Sequence, residues 1–129
     1  MTAAAPSEAE LAVLKHLWSA GEQSAREVHD RVAEETGWSY STTRTVLTRM
    51  LQKGLVEKRD SHGLALYAAG AKKVDLLGSM IRNFSRRVLE LDGAMPASAF
   101  ADSKLLDEDE LEELSKLLDE DGDQKGEEG

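Results

Sequence analysis

The chain contains no cysteine. That absence excludes disulfides, thiolate nucleophiles and every cysteine-ligated metal site, and it suits a reducing compartment. There is no run of about 18 apolar residues, so no membrane-spanning helix is expected. The opening residues, MTAAAPSEAE, lack the basic and apolar regions of a signal peptide. A cytoplasmic protein with no membrane partner is therefore expected. Catalytic motifs are missing too. His16, His29 and His62 fall in no H-E-x-x-H pattern, and neither a nucleophile elbow nor a glycine-rich phosphate loop occurs. Neither enzyme activity, nor a cofactor, nor a metal site is expected. The last stretch, 119–129, has no apolar side chain and reads as an unstructured acidic tail.

What is present is unevenly distributed. The net charge is −9, but residues 1–88 hold 13 Lys/Arg against 10 Asp/Glu, and residues 89–129 hold 3 against 15. Within 38–59 there are five basic residues, Arg44, Arg49, Lys53, Lys58 and Arg59, and one acid, Glu57. Such asymmetry is the pattern of a nucleic-acid-facing module with an acidic appendage.

Local signals divide the chain into elements. Ser7 with Glu10, and Ser24 with Glu27, are capping boxes that open two helices, and Gly21 and Gly37 end them. Leu11, Leu14, Leu17 and Trp18 share a face of the first helix, and Val28 and Val32 face inward from the second. Ser39 caps a third helix whose buried stripe is Val46, Leu47, Met50 and Leu51, with Gly54 just past its end. Leu55 and Val56 begin a strand, Ser61-His62-Gly63 turn it, and Leu64, Leu66 and Tyr67 begin the return. Trp18 and Trp38 are core candidates. Beyond Lys73, the residues Val74, Leu77, Ile81, Phe84, Val88 and Leu91 are spaced 3, 4, 3, 4, 3, a heptad seam broken by Gly93 and Pro96. Asp107 with Glu110 caps a last helix carrying Leu111, Leu114, Leu117 and Leu118.

Helix, turn, helix, glycine and a hairpin with basic residues is the order of a winged helix-turn-helix. The third helix, 39–53, presents Tyr40, Ser41, Arg44, Thr45, Thr48 and Arg49 opposite or beside its apolar stripe. Arginine can grip guanine through two hydrogen bonds, and threonine offers a methyl or a hydroxyl to a groove edge. Ser39, Ser41 and Thr42 near the helix start suit phosphate, helped by the helix dipole. In the wing, 56–67, Lys58 and Arg59 suit backbone contacts rather than base readout.

These residues resemble the penicillinase-repressor family, the winged-helix repressors of β-lactamase and methicillin-resistance genes, with copper-responsive repressors as relatives. The resemblance is carried by Ser7-Glu8-Ala9-Glu10 with Val13, Leu14 and Trp18. It continues through Ala25-Arg26-Glu27-Val28, Trp38-Ser39, Thr42, Thr45-Val46-Leu47, Arg49 and Lys53-Gly54. Tyr67 and Leu111-Glu112-Glu113-Leu114 complete a collinear set over about residues 7–118. It implies a homodimer that binds a palindromic double-stranded DNA operator and is joined through C-terminal helices. The family's copper-responsive members carry a C-terminal cysteine cluster, which this chain lacks. Its β-lactamase members are cleaved, after a membrane sensor's signal, between an asparagine and a phenylalanine. Phe100 matches that phenylalanine, but Ala99 replaces the asparagine, so a regulatory protease is only weakly implied.

The expected architecture is mainly α with a small β-wing. It comprises a winged-helix DNA-binding domain over 1–70, a helical dimerisation domain over 71–118 and the tail over 119–129. The expected dimer residues are Val74, Leu77, Ile81, Phe84, Val88 and Leu91, with Leu111, Leu114 and Leu118. The expected function is that of a homodimeric transcriptional repressor. The alternative is a winged-helix domain used only for protein–protein contacts.

Overall fold

A computed structural model describes residues 5–93 and 95–128, with side chains described as far as Asp119. The chain divides into two compact units, one reaching Ala71 and the other beginning at Lys72.

In the first unit the caps set the helix bounds. Helix α1 spans Glu8–Ala20 and α2 spans Ala25–Thr36, each opened by a closed capping box. The Ser7 hydroxyl accepts from the Glu10 N–H at 3.2 Å, and the Glu10 carboxylate accepts from the Ser7 N–H at 2.9 Å. Helix α3 spans Tyr40–Lys53 with Ser39 as its N-cap. Gly54 closes it at φ 78°, a left-handed conformation that a side chain disfavours. The three helices bury one face each: Val13, Leu14 and Leu17 from α1, Val28 and Val32 from α2, and Val46, Leu47 and Met50 from α3. Full burial of each such side chain stabilises the fold by about 1.5–3 kcal/mol. Leu51, expected in the α3 stripe, is exposed at its edge. The two tryptophans are half-buried rather than central, and the Trp18 indole N–H donates to the Ala71 carbonyl at 3.0 Å.

Strands β2 (Val56–Ser61) and β3 (Leu64–Ala69) form the hairpin, in register from Val56↔Ala69 to Ser61↔Leu64. His62 and Gly63 make a two-residue turn, both at positive φ, the arrangement that matches strand twist. A two-residue strand, β1 (Gln23–Ser24), adds to the far side of β3 and gives the order β1-β3-β2. No sequence signal marks β1, because two residues are too few for an alternation to show. Val56 and Tyr67 are buried, while Leu64 at the wing tip is exposed.

The second unit contains α4 (Lys73–Arg87), a short 3-10 turn (Ala97–Phe100) and α5 (Glu108–Glu128). Asp107 and Glu110 close the expected cap on α5. Gly78 lies where α4 meets α5: a methyl there would sit 3.4 Å from the Leu114 side chain. Helix α5 carries its backbone through Glu128, across the stretch expected to be unstructured. The side chains of 120–128, and Gly129, lie outside the described residues.

Two expectations about the seam are corrected here. The helix ends at Arg87, so Leu91 is not on it. Glu90 turns left-handed at φ 53°, and the Leu91 N–H folds back to the Ser85 carbonyl at 2.9 Å, which closes the helix end. The seam is also not one exposed stripe. Val74 is buried with Leu114 and Leu118 in this unit's own core, with Ile81, Phe100, Leu106 and Leu117 packed around them. Heptad spacing specifies an apolar face but not whose side chains cover it. Toward the end of the helix the cover is missing: Phe84 is 52 % exposed and Val88, its C-cap, 61 %.

Candidate nucleic-acid interface

Helix α3 has a buried back and a solvent-facing front. Thr43, Val46, Leu47 and Met50 fix the back against the core. The front exposes Ser41, Thr42, Arg44, Thr45, Thr48 and Arg49. Ser41, Arg44, Thr45, Thr48, Arg49 and Gln52 line one shallow depression along this face. Gln52 is missing from the sequence expectation. Its place three residues after Arg49 and seven after Thr45 is the helical spacing that reveals it.

The hydroxyls of this face are not equally free. The Ser39 hydroxyl caps the Thr42 N–H at 3.1 Å and bonds the Thr42 hydroxyl at 3.1 Å. The Thr45 hydroxyl donates to the Ser41 carbonyl at 3.0 Å, leaving its methyl and lone pairs for a ligand. Among the described residues, no hydrogen bond engages the Ser41 or Thr48 hydroxyls. Tyr40 is half-buried and behaves differently from its neighbours. Arg26 of α2 lies over its ring at 4.0 Å, and Arg44 stands 6.0 Å from the same ring centre. Sequence reading named Arg26 only within the family resemblance and not at the site. Its signal is a cation in the first turn of a helix, where acids are usual.

Electrostatics sort the cations. Arg44 and Arg49 have no carboxylate partner among the described residues. Lys53 at the C-terminal end of α3 is committed: its ammonium donates to Glu10 at 2.7 Å, tying α3 to α1. Glu10 is 3 % exposed. Burial works to raise its carboxyl pKa, but the Lys53 hydrogen bond and charge and the Ser7 N–H outweigh it and hold it below the ordinary value.

The wing cations do not act as a pair. Lys58 and Arg59 are successive residues on β2 and point to opposite faces. Arg59 makes two bonds to Glu22, at 2.6 and 2.7 Å. The hydrogen bond and charge of Arg59 lower the Glu22 pKa, and those of Glu22 raise the Arg59 pKa. Lys58 has no such partner among the described residues. The structure therefore brings the α3 residues together on one front and leaves Arg59 latched to the body.

Of the residues expected at the dimer contact, Val74, Leu114 and Leu118 lie inside the second unit, Leu77, Ile81 and Leu111 are half-buried, and Phe84, Val88 and Leu91 are exposed. Leu77, Met80, Ile81, Phe84, Met95 and Phe100 border an open, almost wholly apolar groove in this unit.

The chain is similar to known proteins along most of its length. The methicillin resistance regulatory protein MecI of Staphylococcus aureus is 26 % identical over 112 residues, covering 87 % of this chain and 91 % of that protein. The penicillinase repressor of Bacillus licheniformis is 25 % identical over 114 residues, covering 88 % and 89 %. A solution structure of the DNA binding domain of the repressor BlaI is 26 % identical, covers 53 % of this chain and 83 % of that one, and superposes with a TM-score of 0.48. The family model for the penicillinase repressor matches residues 6–120, and the chain belongs to that family.

Proposed function

We propose that the protein is a homodimeric transcriptional repressor that binds a palindromic operator, with the front of α3 in the major groove and the wing beside it. The observation that carries this is the α3 front: Ser41, Arg44, Thr45, Thr48, Arg49 and Gln52 face outward together, with neither arginine paired to an acid among the described residues. A recognition helix meets base edges from its N-terminal turns. Arg44 lies one turn into α3, where a bidentate contact to guanine is geometrically natural. Lys58 supplies a phosphate contact from the wing.

The dimer reading is supported by the second unit. Phe84, Val88, Leu89 and Leu91 are exposed apolar side chains close together in sequence, beside an open apolar groove. Phe84 and Leu89 line that groove, exposed apolar surface marks an interface, and a second copy of the chain supplies the matching apolar face. A regulatory protease is not part of this proposal. Phe100 closes the 3-10 turn and packs on the Val74–Leu114–Leu118 core, so cleavage before it would require that turn to open.

Genome-wide mapping of binding sites, followed by gel shifts on the sites found, tests the proposal. A two-fold symmetric motif bound with steep salt dependence is expected. An absence of sequence-specific sites would favour a winged helix used only for protein contacts.

A further inference from the structure

Arg26 occupies the second position of α2, two residues after the N-cap Ser24. That is the positive end of the helix dipole, where a carboxylate is stabilised and a cation is not. The neighbouring acid is already engaged, since the Glu27 carboxylate accepts from the Ser24 N–H at 2.9 Å. No ion pair among the described residues involves Arg26. It lies instead on the Tyr40 ring at 4.0 Å, and Arg44 approaches the same ring at 6.0 Å.

The ring is braced. His29 meets it edge-on with centroids 5.5 Å apart. The His29 Nδ1 is in turn 2.8 Å from the hydroxyl of Thr43, which is fully buried. A chain of contacts thus runs from the core through His29 to Tyr40 and on to two guanidinium groups, one from each helix of the helix-turn-helix. Two like charges gathered on one aromatic ring, one of them at a helix N-terminus, repel each other in the free protein. An anion arriving between or beside them relieves that repulsion.

We propose that Arg26 binds a backbone phosphate of the DNA, and that Tyr40 is a positioning residue that holds Arg26 and Arg44 rather than a DNA contact in its own right. The inference rests on the DNA-binding reading above. The first helix of a helix-turn-helix crosses the sugar–phosphate backbone while the second fills the groove. A guanidinium in the first turn of α2 then meets a phosphate with its fork of donors, and the helix dipole adds to the attraction. Phosphate contacts fix register without reading sequence. The role assigned to Arg26 is therefore to set how α3 sits, so that Arg44 reaches its base.

The test measures binding of the full chain to a random-sequence duplex of about 20 base pairs, two helical turns, across a salt series. A phosphate contact contributes on any sequence, so the operator need not be known. Arg26→Ala is expected to lower the slope of log affinity against log salt by about 0.9 per bound chain. Tyr40→Phe keeps the ring and is expected to match the wild type in slope and affinity. Tyr40→Leu removes the platform and is expected to shift the slope toward that of Arg26→Ala, with Arg26→Ala having a smaller effect in its background. Circular dichroism melting checks each variant. Should Tyr40→Leu fail to fold, Arg26→Ala and Tyr40→Phe carry the test. An Arg26→Ala slope equal to wild type overturns the phosphate contact. Weakened binding by Tyr40→Phe overturns the positioning role, because the hydroxyl would then touch DNA. Wild-type protein that binds no duplex even at low salt overturns the DNA-binding reading and this inference with it.

Discussion

Removing the Lys53 ammonium should destabilise the first unit and reverse part of its acid response. In Lys53→Met the α3 stem keeps its apolar bulk but Glu10 loses its counter-ion. Glu10 is 3 % exposed, and its second carboxylate oxygen already lacks a hydrogen-bond partner. Breaking a fully buried pair costs about 3–5 kcal/mol, whereas an exposed pair contributes at most about 1 kcal/mol. Lys53 is 29 % exposed, so solvent screens its end of the bond. A loss of about 2 kcal/mol, between those two limits, follows. The folded-state pKa of Glu10 is depressed. The stability it contributes is therefore complete above the unfolded-state value of about 4.3 and is lost as pH falls through the lower folded-state value. Without Lys53, burial is opposed only by the Ser7 hydrogen bonds, so the folded-state pKa of Glu10 rises from its wild-type value. The deficit of the variant should then shrink as pH falls through the carboxylate range. Urea unfolding at fixed protein concentration, at neutral and acidic pH, measures both effects. Adding Glu10→Gln should restore most of the loss, since a neutral amide needs no counter-ion. A neutral-pH loss below about 0.5 kcal/mol, the scatter of ordinary surface substitutions, would refute the reasoning, as would a loss that does not change with pH.

Arg44→Ala should weaken operator binding by about 1–3 kcal/mol and relax discrimination at one base pair, read from affinities for a panel of single-base variants. Lys58→Ala should lower the salt slope by about 0.9 per chain, whereas Arg59→Ala should leave it unchanged because Glu22 holds that guanidinium; filter binding over a salt series separates them. Phe84→Asp should give a folded monomer in sedimentation, because Phe84 is exposed in the single chain. Leu114→Asp should instead unfold the second unit, because Leu114 lies wholly inside its core, and circular dichroism will show the lost helix.

The helix starts were legible in both units because their signals are local. Each capping box satisfies backbone donors within four residues, so Ser7–Glu10, Ser24–Glu27 and Asp107–Glu110 bounded their helices from sequence alone. The α3 front was legible for a related reason: helical periodicity fixes which side chains point away from a known buried stripe. What escaped depended on contacts distant in sequence. The Arg59–Glu22 and Lys53–Glu10 pairs join residues 37 and 43 positions apart, and nothing local announces them. Arg26 reaches the α3 front only because α2 packs beside it. In the second unit the heptad spacing was real, but a local reversal at Glu90 cut it short before Leu91, and the positions near Val74 found their cover in the same chain. Periodicity predicts a face and leaves its occupant to tertiary structure.

DNA contact through the α3 front is tested most directly by one measurement. Duplex DNA titrated into the isotope-labelled protein, followed by backbone and arginine side-chain NMR, shows which residues meet it. Perturbations concentrated on Arg26, on Ser41 through Gln52 and on Lys58, with Arg59 and Glu22 little changed, are the predicted result. Perturbations that spare α3 while appearing elsewhere, or none at all at low salt, would contradict it.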